Sequence, residues 1–179
     1  MNRSVRAARR GPRRRAAWAL LAVATLLGGC ATTYRQGASA YRRGDYATAA
    51  ERFQAALAAD PQRVDALVGL GLARYSTGDW PAATDTLERA VALAPRDATA
   101  RLYLGLAHLR RGDDAQAVAH LGAFRDLAAG TRTAGQADRA LRLIREMPMT
   151  PELRVFVAVS LEEASAMQHE LAAALEALR

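Results

Sequence analysis

Few side chains in this 179-residue sequence are of the types that carry out chemistry. The three histidines are His108, His120 and His169, and none has the His-Glu-x-x-His spacing that binds zinc. For His108 and His120, which fall in different helices, we expect a surface or groove position. Glu162 and Glu163 form an acidic pair with no nucleophile or base nearby, which is typical of a solvated helix face. The sequence contains no glycine-rich motif for phosphate or dinucleotide binding. It also lacks the Gly-x-Ser-x-Gly motif that carries the nucleophilic serine of α/β-hydrolases. We therefore expect no enzyme, no metal site and no cofactor.

Cys30 is the only cysteine, so it cannot form a disulfide within the chain. It follows an arginine-rich stretch at residues 1–15, an apolar stretch at 16–27 and two glycines. A basic region, an apolar region and small residues are the three parts of an export signal. As a helix, residues 16–29 would extend roughly 21 Å, whereas the core of a bilayer is about 30 Å thick. The pattern predicts a processed signal and not a permanent span.

The sequence LLGGC at residues 26–30 resembles the lipobox of bacterial lipoproteins, in which an aliphatic and two small residues precede a cysteine. The resemblance implies that residues 1–29 are removed and that Cys30 carries the lipid anchor. The alternative is a small buried cysteine behind an ordinary signal or anchor. Ala31, where some lipoproteins have aspartate, implies by resemblance an outer-membrane protein that faces the periplasm, with inner-membrane anchoring as the alternative.

Charge is unevenly distributed along the chain, whose formal net charge is +7. Seven arginines precede residue 16, there is no lysine, and no acidic residue comes before Asp45. From Cys30 to the end, 18 arginines balance 18 acidic residues. Because the part expected to fold has no net basic charge, we expect no nucleic-acid partner.

A period of 34 residues runs through the sequence. Each repeat has a glycine in a first helix, then the dipeptide Gly-Asp, and then a small residue and a bulky apolar residue in a second helix. We expect close crossing of paired helices, a glycine turn with positive φ and an aspartate cap on each second helix. Prolines end the second helices of the first two units. The positions are Gly44, Gly78 and Gly112; Gly37, Gly71 and Gly105; Ala49, Ala83 and Ala117; Phe53, Leu87 and Leu121; and Pro61 and Pro95.

This pattern resembles the tetratricopeptide repeat (TPR) family across residues 31–131. The resemblance implies an all-α solenoid of helical hairpins, with three repeats at about 30–63, 64–97 and 98–131. Three repeats are the practical minimum for a stable array, and the ends of an array need polar caps.

Residues 132–179 are expected to form C-terminal capping helices. Residues 133–147 predict one helix, and Thr150 and Pro151 predict the N-cap and first turn of a last helix that ends near Leu178. Apolar residues between 157 and 178 recur in steps of four and three, as in a coiled-coil seam. One interpretation is a cap over the last repeat; the other is a partner-binding helix or a surface for self-association.

In TPR proteins the first helix of each repeat lines a concave groove. The residues at those places form a mainly apolar and aromatic wall, which suits an extended or helical peptide. For the leucines of the third repeat, packing between repeats is the alternative. The carboxylate clamp of chaperone-binding TPR proteins uses lysine and asparagine, and this chain has no lysine and only Asn2. The candidate groove residues are Tyr34, Tyr41, Arg42, Asp65, Val68, Leu72, Tyr75, Leu102, Leu106, Leu109 and Arg110.

Together these features predict a lipid-anchored TPR adaptor for protein or peptide partners in the assembly of cell-envelope, pilus or secretion machinery. The chain resembles small TPR lipoproteins of such machines. The alternative is an accessory subunit or regulator of a peptidoglycan enzyme.

Overall fold

The computed structural model describes residues 32–177, apart from six side chains near the end of the last helix. Over this range the chain is all α-helical. Cys30, the signal segment and Leu178 lie outside the described residues. The helices are α1 (residues 32–42), α2 (Tyr46–Ala59), α3 (Val64–Ser76), α4 (Trp80–Leu93), α5 (Ala98–Arg111), α6 (Asp114–Leu127), α7 (Arg132–Glu146) and α8 (Pro151–Ala177).

The turns inside the three helix pairs contain glycine with positive φ, as the 34-residue period predicts. Gly44, Gly78 and Gly112 have φ angles of 78°, 82° and 86°. The next residue caps the second helix in two of the pairs, since Asp45 and Asp79 accept hydrogen bonds from backbone N–H groups. In the third pair the expected cap is missing.

Asp113 makes no side-chain hydrogen bond to the start of α6. Its carboxylate instead lies 3.3 Å from Nδ1 of His108 and 3.2 Å from Nε of Arg111. The two basic side chains at the end of α5 therefore hold the carboxylate that the period predicts as a cap.

Glycines in the first helices let the two helices of each pair approach closely. A Cβ atom added at each glycine would press on the bulky apolar residue of the same repeat. All three of those bulky side chains are buried, which confirms the predicted helix crossing. The nearest side-chain atoms would be at 3.0 Å for Gly37 and Phe53, 2.5 Å for Gly71 and Leu87, and 2.8 Å for Gly105 and Leu121.

The predicted ends of α2 and α4 and the predicted start of α8 are also confirmed. The helices α2 and α4 stop at Ala59 and Leu93, each two residues before a proline. The last helix begins at Pro151, and the hydroxyl of Thr150 accepts a hydrogen bond from the N–H of Leu153. None of the helices in residues 32–177 is long and apolar enough to cross a membrane.

The hydrophobic core continues from the repeats into the C-terminal helices. One buried cluster joins the first two repeats to α5. The second joins α5 and α6 to Leu141 of α7 and Leu161 of α8. The C-terminal helices therefore share a core with the last repeat.

The helix α8 runs antiparallel to α5 along its inner side. Near its start, Arg154 forms a bidentate ion pair with Asp114 at the beginning of α6. Further along, Glu162 pairs with Arg110 near the end of α5. Gln168 accepts a hydrogen bond from the hydroxyl of Thr133 at the start of α7. The chain's own last helix thus occupies the concave face of the third repeat.

The apolar seam predicted on the last helix is used inside the molecule. Val157, Leu161 and Ala164 are buried, with 2%, 1% and 7% of their surface exposed. For these residues the cap interpretation holds, and they offer no exposed apolar surface for the self-association considered over residues 157–178. The side chains of Leu171 and Leu175, further along the seam, lie outside the described part of the chain.

Candidate peptide-binding groove

The open part of the concave face lies between α1 and α3. Tyr34 and Tyr41 of α1 face Val68 and Leu72 of α3, and all four side chains are partly exposed. They line a cavity of about 310 Å³, which we call the apolar pocket. Its apolar walls can accept an aliphatic or aromatic side chain of a ligand.

Charged groups stand at the rim of the apolar pocket. The guanidinium of Arg63 lies 4.4 Å from the ring centroid of Tyr34 and 2.7 Å from the carboxylate of Asp65. The predicted groove residue Asp65 is therefore already paired. Arg42 is exposed at the same rim.

A second cavity, of about 550 Å³, lies where the repeats meet α8. We call it the tyrosine pocket, because Tyr41, Tyr46, Tyr75 and Tyr103, four of the five tyrosines in the chain, line it. The rings of Tyr41 and Tyr46 are 5.2 Å apart, and those of Tyr75 and Tyr103 meet edge-on at 5.4 Å. Since Tyr41 lines both cavities, the two lie side by side, and we call them together the groove.

One wall of the tyrosine pocket is a polar network that joins the repeats to α8. The hydroxyl of Tyr75 donates a 2.5 Å hydrogen bond to Oε1 of Glu162. The guanidinium of Arg110 donates to the same carboxylate oxygen at 3.2 Å and to the Tyr75 hydroxyl at 3.3 Å. Burial, followed by the hydrogen bond to Glu162, raises the pKa of Tyr75. The phenol therefore stays protonated and acts as a donor across the physiological range.

Three of the predicted groove residues are not available to a ligand. Leu102, Leu106 and Leu109 are 2%, 0% and 0% exposed and belong to the core that α5 shares with α8. Because α8 covers this side of α5, the predicted groove is wrong for these three leucines, whereas Arg110 of the same repeat does line the tyrosine pocket. The alternative considered for these leucines, packing inside the array, is the one that the structure shows.

The aromatic and charged lining residues of the tyrosine pocket that sequence reasoning missed are Tyr46, Trp80, Tyr103, Glu162 and Glu163. A signal for two of them was present, since an aromatic residue follows Gly-Asp in both of the first two repeats. The acidic pair carried no such signal, because its position depends on where α8 lies.

A family model of the tetratricopeptide repeat matches residues 34–91 and 73–131, which together span more than half of the chain. The chain belongs to the tetratricopeptide repeat family. TPR arrays are in general modules for protein interaction and not catalytic domains. No curated protein matches this TPR protein in sequence.

Solved structures with the same fold are distant in sequence. The type III secretion translocator chaperone SycD of Yersinia enterocolitica is 20% identical, with a TM-score of 0.60 over 64% of this chain and 81% of that one. The TPR domain of Arabidopsis OM64 is 17% identical, with a TM-score of 0.62 over 65% of this chain and 97% of that one. The first TPR of Spaghetti (RPAP3), bound to an HSP90 peptide, is 18% identical, with a TM-score of 0.61 over 66% of this chain and 92% of that one. These likenesses establish the fold of this TPR protein.

Two of the histidines come together away from the groove of this TPR protein. The rings of His108 and His120 stack with centroids 5.5 Å apart, and His108 is only 5% exposed, so the expected surface or groove position is wrong for it. Arg101 donates a hydrogen bond to His120, whose pKa is lowered to about 4 by burial and then by the charges of His108 and Arg101. Residues 32–177 hold no group of three potential metal-ligating side chains.

Proposed function

We propose that this TPR protein is a lipid-anchored adaptor whose concave groove binds an extended segment of a partner protein of the cell envelope. The observation that carries the proposal is the groove of two adjacent cavities between α1, α3 and α8, which stays open although α8 fills the concave face of the third repeat. The groove is lined by tyrosine, tryptophan and aliphatic side chains. Tyrosine and tryptophan are enriched among the few residues that supply most of the binding energy in protein interfaces.

The shape of the groove favours an extended ligand. Two cavities of about 310 and 550 Å³ meet at Tyr41. An extended segment can place one side chain in each cavity while its backbone runs across the tyrosine between them. Tyr41 itself is fixed from the side by contact with the Tyr46 ring and by a 3.4 Å hydrogen bond with Ser76.

The lipid anchor and the envelope location are supported by the sequence of the first thirty residues. Cys30 stands two residues before residue 32, where the described part of α1 begins, so the link between them would be at most about 7 Å long. A lipid at Cys30 would hold the first repeat, and with it the apolar pocket, close to the membrane surface. We place the anchor in the outer membrane, facing the periplasm.

A role in assembling secretion or pilus machinery is supported by analogy of fold. A solved structure that this TPR protein resembles is the secretion chaperone SycD in complex with a peptide of the translocator YopD. The analogy concerns the groove and not a shared ligand, because one fold serves many partners.

Photocrosslinking in cells tests the groove proposal. A benzophenone amino acid replaces Val68, which lines the apolar pocket, and in a matched control it replaces Glu51, which is exposed on α2 outside both pockets. We expect mass spectrometry to identify one envelope protein crosslinked at position 68 and not at 51. Equal crosslinking at both positions, or none at position 68, would contradict the proposal.

Replacement of the predicted anchor tests the location. We expect Cys30→Ser to leave the precursor without lipid, so that the protein leaves the outer-membrane fraction. Membrane fractionation followed by immunoblotting measures this. The lipid anchor is refuted if the Cys30→Ser protein sediments with the outer membrane as the unchanged protein does.

A further inference from the structure

The tyrosine pocket contains more negative than positive charge. Three charged side chains line it: Arg110, Glu162 and Glu163. Arg110 is paired with Glu162, which also accepts the hydrogen bond of Tyr75. Within residues 32–177, the side chain of Glu163 has neither an ion pair nor a hydrogen bond, and it is exposed to solvent. The pocket therefore presents one carboxylate without a counterion.

Most of the remaining wall of the pocket is aromatic. Tyr41, Tyr46, Tyr103 and Trp80 all line it and are all half-buried. The face of an aromatic ring is electron-rich and attracts a guanidinium or ammonium group placed over it. Burial, followed by the neighbouring Tyr41 and Glu162, raises the pKa of Tyr103, so its hydroxyl stays neutral and does not add a second negative charge.

The chain already holds one cation in this way at the edge of the pocket. The guanidinium carbon of Arg110 lies 5.9 Å from the ring centroid of Trp80, while its nitrogen pairs with Glu162 at 3.2 Å. Arg110 is thus held by an aromatic ring and a carboxylate at the same time. Glu163, next in the chain, lines the same cavity as the aromatic rings and has no cationic partner within residues 32–177.

We propose that the tyrosine pocket receives an arginine or lysine side chain of the bound partner segment, with its charge paired to Glu163. An apolar residue of the same segment occupies the apolar pocket on the other side of Tyr41. Arginine is favoured over lysine, since its planar guanidinium can stack on a tyrosine ring and pair with a carboxylate at once. This inference rests on the proposed function, because it names the chemistry of the peptide that the groove binds.

The first test selects ligands without assuming one. The full chain, purified in detergent, is presented with a phage library of random dodecamer peptides, and detergent micelles alone serve for counter-selection. We expect the selected peptides to be enriched in arginine or lysine together with an apolar residue. An enriched peptide is then synthesised in two forms, with the basic residue and with norleucine in its place.

Calorimetry measures the affinity of the two peptides for the unchanged protein, for Glu163→Gln and for Glu51→Gln. We expect norleucine to weaken binding to the unchanged protein about 5- to 30-fold, the range of a desolvated cation–π contact with a nearby carboxylate. Glu163→Gln should weaken only the basic peptide, about two- to fivefold. Glu51→Gln, the matched change of an exposed glutamate outside the pockets, should alter neither affinity.

A second variant tests the aromatic wall. Tyr46→Leu keeps apolar bulk beside Tyr41 but removes one ring face, so it should weaken the basic peptide more than the norleucine peptide. Circular dichroism confirms that each variant is folded. An equal loss for both peptides would overturn the cation assignment, since it would reflect packing alone.

The outcomes separate this inference from the function on which it rests. If no peptide is enriched, the proposed peptide-binding function fails. If peptides are enriched without basic residues, or Glu163→Gln affects both peptides equally, the groove binds peptide and the cation assignment is overturned. Binding of spermidine without any selected peptide would assign the pocket to a small cation and would overturn both statements.

Discussion

The close contact between Gly71 and Leu87 predicts a large effect from a single added methyl group. In Gly71→Ala the new Cβ would lie 2.5 Å from Cγ and 2.6 Å from Cδ2 of Leu87. Leu87 is fully buried, so its side chain cannot move away without displacing its neighbours. Overpacking of this kind costs about 1–3 kcal/mol. It outweighs the gain of up to about 1 kcal/mol that alanine brings to a helix.

Gly122→Ala is the matched control. Gly122 lies inside α6, and a Cβ added there would meet no atom within 4 Å outside its own helical surroundings. We expect this variant to be more stable than the unchanged protein by about 0.5–1 kcal/mol, because alanine is the better helix former and restricts the unfolded chain. The two glycine-to-alanine changes should thus have opposite signs.

Urea unfolding followed by far-ultraviolet circular dichroism measures both variants. With a slope of about 1–3 kcal/mol per molar urea, the two midpoints should differ by on the order of 1 M. Leu87→Ala should cost about 2–5 kcal/mol in the unchanged protein and clearly less in Gly71→Ala, where it relieves the clash. The argument is refuted if Gly71→Ala is as stable as Gly122→Ala, or if the cost of Leu87→Ala is the same in both backgrounds.

Two further predictions concern the polar network and the histidine pair. Arg110→Ala leaves Glu162 without its guanidinium partner and should lower the free energy of unfolding by about 1–2 kcal/mol. Hydrogen exchange in α8 should become faster, whereas Arg142→Ala, which breaks an exposed pair, should change neither property measurably. His120 binds its proton at a pKa of about 4 when folded and near its ordinary 6.5 when unfolded, so stability should fall as the pH drops from 6.5 towards 4. The urea midpoint of His120→Gln should fall less over this range, and an equal fall would contradict the assignment.

The repeat architecture was predictable because its determinants are local and periodic. A glycine that requires positive φ, an aspartate after it and a small residue at the crossing each act within one helical hairpin, and all recur every 34 residues. Gly71 illustrates this, since the residue that it accommodates, Leu87, lies only sixteen positions away in the same repeat.

The shape of the site was less predictable, because it depends on contacts between distant parts of the chain. Glu162 meets Tyr75 across 87 positions, and no local pattern specifies that pairing. The spacing of the last helix predicted an apolar seam but not the surface that the seam would cover. That surface is α5, which is why Leu109 and its neighbours were assigned to the groove when they belong to the core. His108 was misplaced for a similar reason, since it is buried next to His120 of the following helix.

The position of α8 also decides how a ligand can lie in the array. A solenoid with a free inner face lets a long strand pass along every repeat and leave at the far end. Here α8 blocks that path at α5, so the groove is open at the first repeat and closed at its other end. A segment bound there must stop or turn back at Glu162 and Glu163, which suits the end of a polypeptide or the tip of a loop better than the middle of a long strand.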